Sequence, residues 1–207
     1  RKGQILVDCG TCGFLWTMDF AKKLEKEGIR FADAPVTGME QRAKDAALTI
    51  MFGGPGSMLK EIRPVLEAMG KTITHIGPIG AGQMTKAINQ IVVAGTYWSV
   101  AEGVALGLKA GLDMEKVIEA ISGGAASSWV LHNRGINVVN NTYPLGFRVR
   151  LHHKDLKIAL DTARELEVML PATALVAQIE NGLIARGYGD DDVSAIGRSI
   201  REQSGLE

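Results

Sequence analysis

The feature that most constrains this chain is a change of pattern at Gly80. Before it, short apolar runs rich in β-formers alternate with helical stretches; after it, every apolar repeat has helical spacing. Ile5–Asp8 reads as a strand, Thr17–Glu27 as a helix with Phe20 and Leu24 one turn apart and Gly28 as its stop, and Ile29–Ala34 as a second strand ending at Pro35. Leu48–Phe52 and Thr72–Ile76 are further strands. Between them Ser57–Met69 sets Met58, Ile62, Leu66 and Met69 on one helical face, with a kink expected at Pro64 and a stop at Gly70. Beyond Gly80 the spacing predicts a long helix over Gln83–Ala110, then Met114–Ser122 capped by Asp113, Ser128–Val139 and His153–Val168. A helix opened by Pro171 and closed by Gly187 follows, then a last one capped by Asp191 or Asp192 and reaching Gln203.

The boundary therefore falls near Ile79, with an open α/β sheet in residues 1–79 and an all-helical domain in residues 80–207. A half-sheet cannot cover its own edge. The chain also runs from Arg1-Lys2-Gly3 straight into a strand, with no initiator Met and no signal peptide. The expectation is that an earlier part of the sheet domain lies upstream of these 207 residues.

Charge excludes some partners. With 23 basic and 23 acidic side chains scattered along the chain, there is no footprint for nucleic acid or an anionic membrane. Ile91–Leu108 is long and apolar enough to raise a membrane span, but it carries Glu102 and several small residues, with Asn89 and Gln90 just before it. A helix apolar all round with a central carboxylate fits burial between domains or subunits better. A cytoplasmic homodimer or homotetramer is expected, with neither membrane nor nucleic acid as partner.

The segment with most chemical content is Gly80-Ala81-Gly82-Gln83-Met84-Thr85-Lys86-Ala87-Ile88-Asn89-Gln90. Two glycines lead into a helix that carries a lysine in or near its first turn. The helix dipole makes that end positive, so a cation there is disfavoured and its ammonium pKa is pushed down, which suits a general acid/base. Asn89 and Gln90, three and four residues on, share its face and can bond the same small ligand. On spacing alone, the ordinary reading remains an exposed lysine turned back to solvent.

This segment resembles the active-site helix of the β-hydroxyacid dehydrogenases, the family of 3-hydroxyisobutyrate dehydrogenase and tartronate semialdehyde (2-hydroxy-3-oxopropionate) reductase. Other segments agree in order. Asp33-Ala34-Pro35-Val36-Thr37-Gly38 is similar to the family's substrate loop, and Leu48-Thr49-Ile50-Met51 with Gly53-Gly54 to the strand after it. Pro144-Leu145-Gly146-Phe147 with His153-Lys154-Asp155-Leu156 is similar to the cofactor region, and Asp192-Val193-Ser194-Ala195 to the C-terminal motif. The resemblance implies a partial Rossmann-type sheet followed by an all-α substrate and dimerisation domain, with the Gly-x-Gly-x-x-Gly half upstream. The 207 residues alone are then expected to be inactive and to bind dinucleotide weakly.

The implied activity is interconversion of a small 3-hydroxy acid and its semialdehyde with NAD or NADP. Lys86 would be the general acid/base, Thr37 and Gly38 would hold the substrate carboxylate, and Asn89 and Gln90 would contact the substrate. Thr11, Phe147 and Lys154 would lie against the cofactor. No metal is needed, because an ammonium supplies both proton and charge. Met39 stands where the family usually has a second glycine, Thr37 replaces its serine, Ala46-Ala47 its Gly-Thr, and Gly10 the serine before Thr11, so the substrate loop has more bulk here. The Asn89-Gln90 pair looks like the tartronate semialdehyde reductases and differs from the His-Asn of the more distant 6-phosphogluconate dehydrogenases, which favours a small unphosphorylated acid.

Two rival functions are weighed. One is a non-catalytic cofactor-binding or scaffold protein on the same fold, which would have no use for a costly lysine at a helix start. The other is a thiol redox module at Cys9-Gly10-Thr11-Cys12. An active pair of that kind should begin a helix, and Cys12 stands several residues from the expected start at Thr17.

Overall fold

The computed structural model describes residues 2–206. Two compact units divide the chain. One runs to Gln90 and takes in Ile158–Met169; the other comprises Ile91–Lys157 and the chain from Leu170 onward. The division falls inside the long helix, so its first turns belong with the sheet.

In the first unit, β1 (Ile5–Asp8), α1 (Phe14–Lys26), β2 (Arg30–Asp33), β3 (Val36–Thr37), α2 (Met39–Lys44), β4 (Leu48–Gly53), α3 (Gly56–Glu67) and β5 (Gly70–Gly77) follow in order. The sheet is open, ordered β1-β2-β4-β3, with β5 also paired to β4. β1 and β2 are parallel, in a register that sets Asp8 beside Asp33. β4 and β5 are parallel, while β2 meets β4 antiparallel at the single pair Asp33 and Gly53. Its core is Ala32, Ile50 and Phe52 from the strands, with Ala34 just after β2, against Met58, Leu59, Ile62 and Leu66 of α3. Burial of each large side chain there contributes roughly 1.5–3 kcal/mol.

The second unit is helical. It contains the rest of α4 (Ala81–Lys109), then α5 (Met114–Ser122), α6 (Trp129–Val139), the start of α7 (Val149–Glu165), α8 (Pro171–Ala185), a 3₁₀ turn at Val193–Ala195 and α9 (Ile196–Gln203). Asp113 accepts from the Lys116 N–H and Ser128 from the Leu131 N–H, which caps α5 and α6. By length and composition α4 is also long and apolar enough to cross a membrane.

The expected partial Rossmann-type sheet followed by helices is what the structure has, with local differences. α1 starts at Phe14, three residues before the expected Thr17, with Gly13 as a cap that offers no side-chain bond. β3 and α2 were not expected. α7 starts at Val149 rather than His153, because the Val149 and Arg150 N–H groups donate to Asp191 and Gly189 far along the chain. Asp192 caps the 3₁₀ turn, and α9 follows it.

Candidate functional site

The first unit gathers its polar side chains where β1 and β2 end. Asp33, the last residue of β2, is fully buried. One carboxylate oxygen accepts from the Gly80 N–H at 2.6 Å and the other from the Gln83 N–H at 2.8 Å. These are orphan donors of the start of α4, so Asp33 pins that helix end with charge-assisted bonds. Burial raises the Asp33 carboxyl above its ordinary range, against the backbone N–H groups of Gly80, Gln83 and Gly82, which pull it down. The fit leaves no room for side chains. A Cβ on Gly53 would lie 2.5 Å from one Asp33 oxygen, and a Cβ on Gly82 would lie 2.3 Å from the Met51 carbonyl and 3.0 Å from Pro35.

Gln83 carries the pinning one element further. Its Oε1 accepts from the Cys12 N–H at 2.9 Å, and its Nε2 donates to the Gly10 carbonyl at 2.9 Å. Those partners flank Thr11, which is half-buried in the loop between β1 and α1. Asp8 Oδ1 accepts from the Gly10 N–H at 2.9 Å, while Asp8 Oδ2 is buried with no hydrogen-bond partner among the described residues.

Lys86 is the sixth residue of α4 and only 8% exposed. That places it in the second turn, where the field of the helix end has largely decayed, so the dipole argument carries less weight than the sequence suggests. What the structure supplies is burial, contrary to a lysine turned to solvent. Lys86 lies four residues after Gly82 and therefore on the same helix face, the one that touches Pro35. Pro35 in turn is two residues before Thr37. Gln90 continues the buried stripe, and Asn89 Nδ2 donates to Gln90 Oε1 at 2.6 Å, so the two amides form one bonded pair.

Thr37 ends β3, opposite Thr49 of β4. Gly38 has φ +143°, and a Cβ there would lie 2.9 Å from Arg42 Cβ, so only glycine fits. Met39 next to it has φ +61°, a left-handed conformation that a glycine would adopt without strain.

Phe147 and Lys154 belong to the second unit. The Gly146 and Phe147 N–H groups both donate to Asp192 Oδ2 at 3.0 Å. Asp192 is fully buried, and its other oxygen accepts from Ser194 and from Arg134 Nε. The Phe147 ring meets the His152 ring edge-on, and His152 Nδ1 lies 2.6 Å from Glu180 Oε1, both residues fully buried. Lys154 is half-exposed, with its ammonium 3.1 Å from Asp155. Asp33 and Gln83 are organising residues that sequence reasoning did not single out; their only sequence signal is position inside the motifs that carry Thr37 and Lys86. Asp192 was legible as a helix cap and as part of the C-terminal motif, but not as the partner of Gly146, Phe147 and Arg134.

Neither Cys9 nor Cys12 is in a disulfide. Because α1 begins at Phe14, Cys12 does stand next to a helix start, and the objection from spacing fails. Another takes its place. Cys9 packs against the sheet core, and burial, then the Asp8 charge, push its thiol up, away from the thiolate a redox pair needs.

Residues 1–77 match the family described as the NAD binding domain of 6-phosphogluconate dehydrogenase. Residues 80–200 match that described as the NAD-binding part of NADP-dependent 3-hydroxyisobutyrate dehydrogenase. An oxidoreductase of Shewanella frigidimarina is 40% identical over 205 residues, which is 99% of this chain and 70% of the relative. The 2-hydroxy-3-oxopropionate reductase of Escherichia coli is 37% identical, covering 96% of this chain and 68% of the relative. The solved 3-hydroxyisobutyrate dehydrogenase of Mycobacterium tuberculosis with L-serine superposes with a TM-score of 0.90 at 31% identity, over 97% of this chain and 71% of that one. An open α/β unit joined to a helical one, with these matches, defines a dinucleotide-dependent oxidoreductase. The chain belongs to the β-hydroxyacid dehydrogenase family, and its cofactor is NAD or NADP.

The residues present suit that cofactor. The orphaned Asp8 oxygen beside Thr11 is an acceptor matched to a hydroxyl or amide donor, such as a ribose or a nicotinamide carboxamide carries. It lies at the carboxyl end of β1, where ligands of open α/β sheets bind.

Proposed function

We propose that this chain interconverts a short, unphosphorylated 3-hydroxy acid and its semialdehyde, of the tartronate semialdehyde or 3-hydroxyisobutyrate type, with Lys86 as the general acid/base. A nicotinamide cofactor, when bound, would supply the hydride in reduction and accept it in oxidation. In reduction Lys86 Nζ donates a proton to the carbonyl oxygen as it gains negative charge, and in oxidation it takes the hydroxyl proton back. Thr37 Oγ and the Gly38 N–H hold the substrate carboxylate, while the bonded Asn89 and Gln90 pair orients the substrate oxygen. Thr11 and the Asp8 carboxylate would hold the cofactor from the loop between β1 and α1.

One observation carries this reading. Lys86 is buried on the helix face that Asp33 and Gly82 press against Pro35, at the root of the Thr37-Gly38 loop. A scaffold gains nothing from a lysine kept there, since burying an amine costs stability. Assembly as a homodimer or homotetramer is part of the proposal. Support comes from exposed Val92 and Leu106 on α4 and from an open groove of about 580 Å³ between α4, α5 and α6.

The test is a panel of short semialdehydes, with NADH and with NADPH, on the complete protein. Reduction of tartronate or methylmalonate semialdehyde well above simple aldehydes is expected. Silence across the panel, with the cofactor bound, would favour the scaffold instead.

A further inference from the structure

Gln83 sits in the first turn of α4, three residues before Lys86, and is 1% exposed. Its carboxamide spans the backbone on both sides of Thr11, donating to the Gly10 carbonyl and accepting from the Cys12 N–H, each at 2.9 Å. A carbonyl on one side and an N–H on the other fix which end of the amide is which. Its own N–H is held by Asp33 at 2.8 Å. The β1–α1 loop, the end of β2 and the helix bearing Lys86 are thereby one hydrogen-bonded body.

We propose that Gln83 is a positioning residue for the redox reaction: it fixes the Thr11 loop relative to the Lys86 amine, so that the cofactor side and the proton-donor side of the reacting carbon keep one geometry. The inference rests on the proposed function, in which Thr11 lies beside the cofactor and Lys86 moves the proton. Stability alone gives the side chain little reason to be there. Gly10 is exposed and Cys12 half-buried, so water can serve their backbone groups when the amide is absent, and Asp33 still holds the helix start. What is lost is register between loop and helix, and a displacement of about 1 Å at a reacting centre costs roughly a hundredfold in rate.

The experiment uses two variants of the complete protein. Gln83→Met keeps the shape and removes both bonds. Gln83→Glu keeps the acceptor for Cys12 but sets a second acceptor against the Gly10 carbonyl until the carboxyl is protonated. Amide exchange at Cys12 should accelerate in Gln83→Met while the rest of the sheet stays protected. In both variants kcat should fall tenfold to a hundredfold at neutral pH. The isotope effect from 4-deuterated nicotinamide should rise, because hydride transfer becomes slower relative to release. The ratio of Gln83→Glu to wild-type activity should climb as pH falls, since a protonated carboxyl donates to Gly10 again. Faster Cys12 exchange with unchanged kcat and isotope effect overturns the positioning role and leaves the proposed function standing. So does a loss of activity matched throughout by a loss of folded protein. An inactive wild type overturns the proposed function itself, which the exchange measurement does not depend on.

Discussion

Gly82→Ala puts the largest structural load on the smallest change. The new Cβ would stand 2.3 Å from the Met51 carbonyl oxygen, 2.7 Å from Asp33 Oδ2 and 3.0 Å from Pro35 Cδ. Met51 lies within β4, so its carbonyl cannot swing aside, and the first turn of α4 must retreat by about 1 Å to restore ordinary contact. Overpacking of this kind costs roughly 1–3 kcal/mol. The Asp33 bonds to Gly80 and Gln83, now 2.6 and 2.8 Å, lengthen toward the limit of useful hydrogen bonding. Their weakening adds about 1–2 kcal/mol, and the helix preference of alanine returns about 1 kcal/mol. The net loss is about 1–4 kcal/mol, which in a chain of this size lowers Tm by roughly 2–16 °C. Because the same retreat carries Lys86 away from the Pro35 side, kcat/KM should fall roughly a hundredfold. Gly182→Ala, inside α8, is the internal control, since a Cβ there meets nothing within 4 Å. It should gain about 0.5–1 kcal/mol by propensity alone. Calorimetry on both variants decides the matter. If Gly82→Ala keeps wild-type stability and activity, the tight seating of α4 on β4 is wrong.

Three more outcomes are expected. Asp192→Ala strands the Gly146 and Phe147 N–H groups and removes the carboxylate facing Arg134, so urea unfolding should show a loss of about 3 kcal/mol or more, and a loss below about 1 kcal/mol would refute its role as a hub. For Asp33 the folded carboxyl is raised above its ordinary 3.8, so the folded state holds the proton more tightly than the unfolded one. Its contribution relative to Asp33→Asn should be fullest below that value and decline as pH rises through the raised one; urea midpoints that diverge further with rising pH would contradict this. Cys9 should alkylate with iodoacetamide at pH 7.5 more slowly than free cysteine, because burial raises its thiol, and faster reaction would revive the redox alternative.

What the sequence made legible was local. Asp113 and Ser128 cap their helices through bonds three residues long, and the apolar spacing of Met58, Ile62 and Leu66 marks α3 without knowledge of what it packs against. The start of α1 was hidden because Gly13 caps it with no side chain and Leu15 and Trp16 are exposed, so neither a cap nor an apolar stripe announces Phe14. β3 is two residues whose strand pairing is with β4, and Met39 and Ala46 take left-handed conformations that their identities do not advertise. In the site, Lys86 and the Thr37-Gly38 pair stood out by residue type and motif. Asp33 and Gln83 did not, and Asp192 was legible only as a helix cap, because their distant partners lie across sequence separations of 50, 73 and 46 residues. A buried Asp and an exposed turn Asp look alike until those partners are in place.

The most direct measurement is turnover of the complete protein with Lys86 replaced by alanine, beside cofactor affinity measured by nicotinamide fluorescence. A buried amine that moves the proton predicts kcat/KM lowered by roughly 10²–10⁴ with the cofactor bound nearly as tightly as before. Turnover close to that of the unsubstituted protein would mean that the proton travels by another route and that Lys86 is only part of the packing.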